Sequence, residues 1–251
     1  MTTRLLLNCD MGERLGHWPM GRDEEVMPWI DCANVACGFH ASDPVTLRKT
    51  VALAARHGVQ VGAHPGYPDL VGFGRRSLAC TPNEVEQMVL YQMGAVYAAC
   101  RAESIGLSYV KPHGALNHDM MRNPDVLEAI MAAVAAFDPE LPLMVTSVSD
   151  RSATERLSRQ YGITVWNEVF ADRAYDAEGH LVSRQTPGAV HQDRDTIVAQ
   201  AVAFANGTPI LAHDGKTELT LLADTLCVHG DNEESIAAVQ AVHAALKGGS
   251  P

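Results

Sequence analysis

The chain has 251 residues, 47% of them hydrophobic, so it can bury one large core or two small ones. Its formal net charge is -11, from 30 acidic and 19 basic residues, and this balance argues against nucleic acid or an anionic membrane as partner. No apolar run approaches the ~18 residues of a membrane-spanning helix, and no basic-then-apolar leader precedes the first apolar segment. We therefore expect a protein that is neither inserted in a membrane nor exported.

Cysteine usage points to a reducing compartment. None of the six cysteines belongs to a C-x-x-C pair, and several fall in segments that predict strands. A chain with a large core does not need disulfides, so we interpret these side chains as reduced thiols of a cytoplasmic protein. The six positions are Cys9, Cys32, Cys37, Cys80, Cys100 and Cys227.

The first predicted elements are two strands and a helix. Residues 4–8 form an apolar segment that predicts a buried strand, and it ends in the polar stretch Asn8–Glu13. Residues 32–37 predict the second strand. The pair Asp43-Pro44 has the order of an N-cap and a first helical residue, and Gly58 is expected to end that helix.

A loop rich in glycine and proline follows the third predicted strand, residues 59–63. Residues 64–76 carry two prolines and three glycines, so this stretch cannot continue a helix or a strand. Thr81–Glu84 has the pattern of a capping box that starts a long helix. Residues 107–110 predict the fourth strand, which Pro112 extends through Lys111 because the residue before a proline avoids the helical region.

The next segments continue the alternation of helices and strands. Asn123-Pro124 is expected to start a helix, and residues 141–145 predict the fifth strand. The pattern Ser152-x-x-Glu155 predicts a second capping box, on a helix that stops before Gly162. The sixth strand is expected to begin at residues 163–165.

The last predicted elements are a helix, a hairpin, a strand and a helix. Residues 193–205 predict the first of these helices. Residues 210–219 predict a hairpin with a two-residue turn at Asp214-Gly215. Residues 225–228 predict the seventh strand, and Asn232 is expected to cap the final helix.

Seven strands that alternate with helices predict a parallel sheet with helical crossovers. Polar residues interrupt the pattern where strands end, and a closed barrel would collect them on one face. We therefore predict a TIM-like (β/α) barrel, seven-stranded and irregular, formed by residues 1–251 as one domain. An open doubly wound sheet is the alternative, although it would gather only the loops near its switch point. The interrupting residues are Asp10, His40, His64, His113, Asp172 and His229.

A wider set of polar residues is expected to face one cavity in such a barrel. Imidazoles, carboxylates and guanidinium groups together suit an anionic substrate held beside a proton-transfer group. Structural roles stay open: His40 can bind the backbone of the next strand, and Glu168 can form an ion pair with Arg173. The cavity set is Asn8, Asp10, Asn34, His40, His64, Lys111, His113 and Glu168.

Six motifs, in order along nearly the whole chain, resemble those of the LamB/YcsF family, which supplies the A subunit of bacterial 5-oxoprolinase. The family usually has Gly where Ser42 stands, and a Tyr-Asn pair where Asn117-His118 stand. The motifs are residues 8–13, 33–44, 62–69, 72–76, 110–116 and 168–173.

The resemblance implies ATP-dependent opening of 5-oxo-L-proline to L-glutamate, with ATP going to ADP and phosphate, together with subunits B and C. It also implies a barrel related to metal-dependent carbohydrate deacetylases and glycoside hydrolases. The lactam is an unactivated amide, so we expect ATP to act by phosphorylating its oxygen. Besides these partners and the small-molecule substrate, a homo-oligomer is compatible with the sequence.

The chemistry assigns roles to residue types. Cations on the transferring phosphoryl group can come from Lys111, Arg75, Arg76 or Arg173. Carboxylates for Mg²⁺ can come from Asp10, Glu13 or Asp172, and a base for water from His64 or His113. We predict as catalytic Asp10, His64, Lys111, His113 and Glu168. We predict as substrate-binding Asn8, Glu13, Asn34, His40, Arg75, Arg76, Asp172 and Arg173.

Two other functions stay open at this stage. One is a metal-dependent amidase or deacetylase that acts alone, with Asp10, His64 and His113 as metal ligands and His40 as the first substitute. The other is a scaffold subunit without catalytic activity, whose partners perform the reaction.

Overall fold

The computed structural model describes residues 5–15, 21–230 and 232–247. Seven strands form the barrel: β1 Leu6–Met11, β2 Cys32–Ala36, β3 Gln60–His64, β4 Tyr109–Val110, β5 Leu143–Thr146, β6 Val165–Phe170 and β9 Thr225–Cys227. Two short strands, β7 Ile210–Leu211 and β8 Glu218–Leu219, pair with each other outside it. The helices are α1 Asp23–Val26, α2 Pro44–His57, α3 Pro82–Ala102, α4 Gly114–Arg122, α5 Pro124–Phe137, α6 Ser152–Tyr161, α7 Arg194–Asn206 and α8 Glu233–Lys247, and a 3₁₀ turn spans Met27–Trp29.

The barrel is closed, and all its strand pairs are parallel. Strand β1 pairs with β2 on one side and with β9 on the other, and β9 also pairs with β6. This confirms the predicted seven-stranded barrel and excludes the open sheet. Observed strand bounds differ from the predicted ones by up to three residues, and Arg4, which we placed in the first strand, lies outside the described residues.

Several helix ends agree with the sequence. The Asp43 side chain accepts from the N–H groups of Val45 and Thr46, and Gly58 closes α2 with a φ of 67°. Thr81 and Glu84 make both bonds of the predicted capping box on α3. These caps depend only on neighbouring residues, and this locality makes them predictable.

Three local predictions were wrong. Residues 114–122 form α4, where we predicted no helix, because Gly114 takes a φ of 51° and turns the chain into a helix. Ser152 is inside α6 and makes no cap; Arg151 stands at the N-cap position, without a side-chain bond. The β7–β8 connection spans residues 212–217 rather than two residues, with Asp214 accepting from two backbone N–H groups inside it.

Two apolar layers position the site. The larger core lies between strands and helices, and a smaller cluster of Cys32, Tyr109 and Met144 fills the barrel. Tyr109 occupies this interior because Gly62 has no side chain: a Cβ there would overlap the tyrosine ring. The hydroxyl of Tyr109 donates to Asn34 Oδ1 over 2.6 Å, so polar groups begin directly above this apolar floor.

Two expectations about the environment can be compared with the structure. All six cysteines are free thiols, five of them buried, with Cys80 partly exposed. Across the described ranges, the structure contains no helix with the length and apolar character to cross a bilayer. The single-domain assignment of residues 1–251 stays a prediction.

Candidate active site

Lys111 forms the base of the site, with a carboxylate on each side. Its Nζ lies 3.0 Å from Asp10 Oδ1 and 2.8 Å from Glu168 Oε1, and it donates to Asn8 Oδ1 over 3.1 Å. Lys111 and Glu168 are buried, whereas the Asp10 side chain is 19% exposed. The ion pair joins strands β1, β4 and β6 at their carboxyl ends, as their positions in the sequence predict.

Amide side chains hold Asp10 and Lys111 in place. Asn34 Nδ2 donates to both Asn8 Oδ1 and Asp10 Oδ1 over 2.8 Å. Asn8 Nδ2 donates to Thr225 Oγ1 over 2.7 Å, which extends the network to β9. Both amide side chains thereby find protein partners for their oxygen and nitrogen, so this layer is rigid.

The charges at the base stabilise one another. Burial alone would raise the pKa of Asp10, but His64 and Lys111 lower it well below its usual range. Burial would likewise lower the pKa of Lys111, but Asp10 and the other neighbouring groups raise it well above its usual range. Asp10 and Lys111 therefore remain ionised at neutral pH.

Backbone carbonyls fix the tautomers of two histidines above this base. His64 Nδ1 lies 2.7 Å from the Lys111 carbonyl oxygen, and His113 Nε2 lies 2.9 Å from the Phe73 carbonyl oxygen. A carbonyl only accepts, so each of these nitrogens carries a hydrogen. When the rings are neutral, their lone pairs are at His64 Nε2 and His113 Nδ1, which lie 3.0 Å apart.

Glu13 and His40 complete the cluster. Glu13 Oε1 lies 3.4 Å from His113 Nδ1 and 3.3 Å from His40 Nε2. The His40 ring stacks on the His113 ring at 3.7 Å. Burial, with the neighbouring rings, lowers the pKa of His40 well below its usual range; burial together with His64 and Arg75 lowers the pKa of His113 to about 3. Both rings are neutral at physiological pH.

The cluster has the composition of a metal site. One donor atom from each of Glu13, His40, His64 and His113 lies within 4.8 Å of the others. Asp10 Oδ2 is 3.3 Å from His64 Nε2 and adds a second carboxylate. Because the His40 and His113 rings are parallel within 4°, a single ion cannot lie in both ring planes. The geometry thus favours His113 as ligand and leaves His40 to orient Glu13.

A tight turn at Phe73 and Gly74 positions the imidazoles of His40 and His113. Phe73 and Gly74 both have positive φ, 55° and 63°, which aims the Phe73 carbonyl at His113. A Cβ on Gly74 would lie 2.7 Å from His40 Cβ and 2.8 Å from the His113 ring. Another residue of positive φ, Ser42 at 79°, stands where the family usually has glycine.

A cavity of about 650 Å³ opens above the site. Asp10, Glu13 and Phe73 line it, as do the exposed side chains of Arg75 and Arg184. Neither guanidinium donates a hydrogen bond or forms an ion pair within the described part of the chain. Both side chains are therefore available to bind an anion in the cavity. A second cavity of about 620 Å³ between α7 and α8 adjoins the first, and Arg184 lines both.

The remaining predicted site residues have protein partners elsewhere. Arg76 forms an ion pair with Asp69 in the loop after β3. Arg173 is buried and donates to the carbonyls of Val182 and Ala189. Asp172 Oδ2 lies 2.8 Å from His229 Nδ1 at the cavity wall. Substrate binding by these residues stays a prediction.

Sequence reasoning missed two contributors. Arg184 lies in an irregular segment without hydrophobic periodicity, so no sequence pattern predicted that it would line the cavity. Cys227, whose Sγ lies 3.5 Å from Lys111 Nζ, was interpreted only as a thiol, although its place at the end of β9 was a usable signal.

Comparison with known proteins agrees with the resemblance. The model of the LamB/YcsF family matches residues 5–250. The chain belongs to the LamB/YcsF family. Among the relatives of this LamB/YcsF chain is a protein of Chromohalobacter salexigens named as the A subunit of 5-oxoprolinase, 62% identical over 243 residues and 97% of each chain. A protein of the same name from Pseudomonas fluorescens is 58% identical over 244 residues, again 97% of each.

A solved structure resembles the whole fold. The lactam utilization protein from Thermus thermophilus superposes with a TM-score of 0.91 at 42% identity, covering 97% of this chain and 96% of that one. The two proteins therefore share the same fold over nearly their whole length.

Proposed function

We propose that this chain is a subunit of an ATP-dependent 5-oxoprolinase that hydrolyses 5-oxo-L-proline to L-glutamate. The observation that carries the proposal is the Asp10–Lys111–Glu168 group beneath an imidazole cluster, in which Asp10 lines a cavity of about 650 Å³. That size suits a small molecule. The relatives named as 5-oxoprolinase subunits support the substrate, and the lactam utilization protein supports its chemical class.

The reaction adds water to the lactam carbonyl carbon and breaks the C–N bond, leaving a carboxylate and an amine. Negative charge develops on the carbonyl oxygen, and we assign its stabilisation to the Lys111 ammonium. The proton from water needs an acceptor, which Asp10, Glu13 or the lone pairs of the imidazoles supply. Arg75 and Arg184 are placed for the carboxylate of the substrate or for a phosphoryl group.

ATP with Mg²⁺, subunits B and C, and a cytoplasmic location belong to the same proposal. ATP would activate the lactam oxygen by phosphorylation, and the word subunit in the names of the relatives supports separate partners. A second candidate is a metal-dependent amidase or deacetylase acting alone, which the Glu13–His40–His64–His113 cluster favours.

The test measures L-glutamate released from 5-oxo-L-proline by the chain alone and with its partner subunits, with and without ATP. We expect release only with ATP and partners, and a large loss of turnover per folded chain in Lys111→Met. Lys49→Met is the matched control, because Lys49 is exposed on α2. Amide hydrolysis by the chain alone without ATP would favour the second candidate. Full turnover by Lys111→Met in the assembly would contradict a catalytic role for Lys111.

A further inference from the structure

Four acceptor atoms converge above Lys111. His64 Nε2 and His113 Nδ1 lie 3.0 Å apart, and in neutral rings both carry lone pairs, because each ring gives its hydrogen to a backbone carbonyl. Glu13 Oε1 approaches His113 Nδ1 to 3.4 Å, and Asp10 Oδ2 approaches His64 Nε2 to 3.3 Å. Acceptors held this close repel one another unless a positive charge lies between them.

The spacing fits an ion. Zinc–nitrogen bonds are about 2.0–2.1 Å long, so two nitrogens bound to one ion lie roughly 3.0–3.4 Å apart. The two imidazole nitrogens meet this requirement without rearrangement. Two imidazoles and carboxylates form a nitrogen–oxygen ligand set that suits divalent transition metals rather than Ca²⁺ or Mg²⁺.

We propose that His64 Nε2, His113 Nδ1 and Glu13 Oε1 bind a divalent transition-metal ion such as Zn²⁺, with Asp10 Oδ2 beside it. His40 is a positioning residue: its Nε2 lies 3.3 Å from Glu13 Oε1, and its ring supports His113. The Lys111 and Phe73 carbonyls act in the same way, since they hold the metal-binding tautomers. Glu13 lines the cavity, so the ion has an open side. Such an ion supplies Lewis acidity toward a carbonyl oxygen or a water molecule.

The test uses Zn²⁺ and Co²⁺ alone, added to the full chain after any purification tag is removed and metal is stripped with chelator. We expect one equivalent per chain by calorimetry, and a visible Co²⁺ spectrum of a nitrogen- and oxygen-liganded ion. Glu13→Gln, which keeps the shape of the side chain, should weaken binding at least ~10-fold, as should His113→Gln. His57→Gln is the matched control, because His57 is exposed at the end of α2.

Several results would overturn the proposal. One is a wild-type chain that binds no stoichiometric ion, in which case a proton occupies the place between the imidazoles. Another is an equal loss in His57→Gln and His113→Gln. If Asp10→Asn abolishes binding while Glu13→Gln binds like wild type, the ligands are Asp10, His64 and His113, and Glu13 is wrongly assigned. If His113→Gln loses the circular dichroism of the fold, Glu13→Gln decides.

The measurement needs neither 5-oxoproline nor ATP nor partner subunits. A negative result therefore leaves the proposed function standing, and failure of the glutamate assay leaves the metal site standing.

Discussion

Lys111 is the residue on which the base of the site depends. Its ammonium separates two carboxylates, of which Glu168 is 2% exposed and Asp10 has an edge in the cavity. Removing the lysine leaves Glu168 as a buried charge, whereas water can reach Asp10. Loss of the lysine should therefore destabilise the ionised form of Glu168 more than that of Asp10.

We predict that Lys111→Met lowers the free energy of unfolding by about 3–5 kcal/mol, the usual cost of breaking a buried pair. The double variant Lys111→Met/Glu168→Gln should recover much of this loss, because no unpaired charge remains. Urea denaturation of wild type, both single variants and the double variant measures the coupling. A double variant no more stable than Lys111→Met would show that Glu168 is not the group Lys111 neutralises.

Some of the chemistry of single residues is readable from sequence and some is not. Pro112 keeps Lys111 extended, so the position of the lysine at a strand end was predictable. The tautomer of His113 was not predictable, because it depends on the Phe73 carbonyl, 40 residues earlier in the chain. No local pattern encodes that contact.

Among the elements, the loop between β3 and α3 has a strict backbone requirement. Its residue Gly74 has positive φ and touches both His40 and His113. A methyl group there would meet backbone strain and two buried rings at once.

We predict that Gly74→Ala costs about 2–4 kcal/mol of unfolding free energy, from left-handed backbone and overpacking together. Gly94→Ala is the matched control: Gly94 lies inside α3 with open space around it, so alanine should stabilise by about 0.5–1 kcal/mol. Thermal denaturation followed by circular dichroism measures both. Equal effects of the two substitutions would contradict the proposed packing of the loop.

The ends of β6 and β9 are joined by a titratable pair, His229 and Asp172. Burial alone would lower the pKa of His229, but the Asp172 carboxylate raises it above its usual range. A raised pKa in the folded state stabilises the fold below the unfolded value of about 6.5. This stabilisation is lost as pH rises through the folded value.

We therefore predict that the stability difference between wild type and His229→Gln is larger at pH 5.5 than at pH 8.5. Denaturant titrations at both pH values measure it. His57→Gln serves as the control for replacing an exposed histidine by glutamine. A difference that grows toward alkaline pH would mean that the pair does not hold a proton on His229.

The sequence predicted the ends of these elements correctly where they depend on neighbouring residues. The caps Asp43, Gly58 and Thr81 were predicted because each depends on residues within one turn. Helix α4 was missed because Gly114 packs with positive φ against the Gly74 carbonyl, a tertiary contact.

At the scale of the whole molecule, alternation of strands and helices was enough to predict the barrel. It also placed Asp10, His64 and His113 on one face, since each follows or ends a strand. Arg184 could not be predicted in this way, because it comes from an irregular segment that only the folded chain brings to the mouth. Irregular segments have no hydrophobic periodicity, so the sequence does not predict which of their residues line the cavity.

The site has two layers, the histidine cluster and the Lys111 group beneath it. They differ in the length of chain that must fold to bring their residues together. His64 and His113 are 49 residues apart, and His40 precedes them, so a partly folded chain with β2, β3 and β4 in place could already hold all three imidazoles. The Asn8–Thr225 bond closes 217 residues, and the Lys111–Glu168 pair needs β6 as well. Closing the longer loop has the larger entropic cost, so we expect it to close later in folding. We therefore expect the lysine layer to form only when the ring of strands is complete, whereas the histidine layer does not require the complete ring.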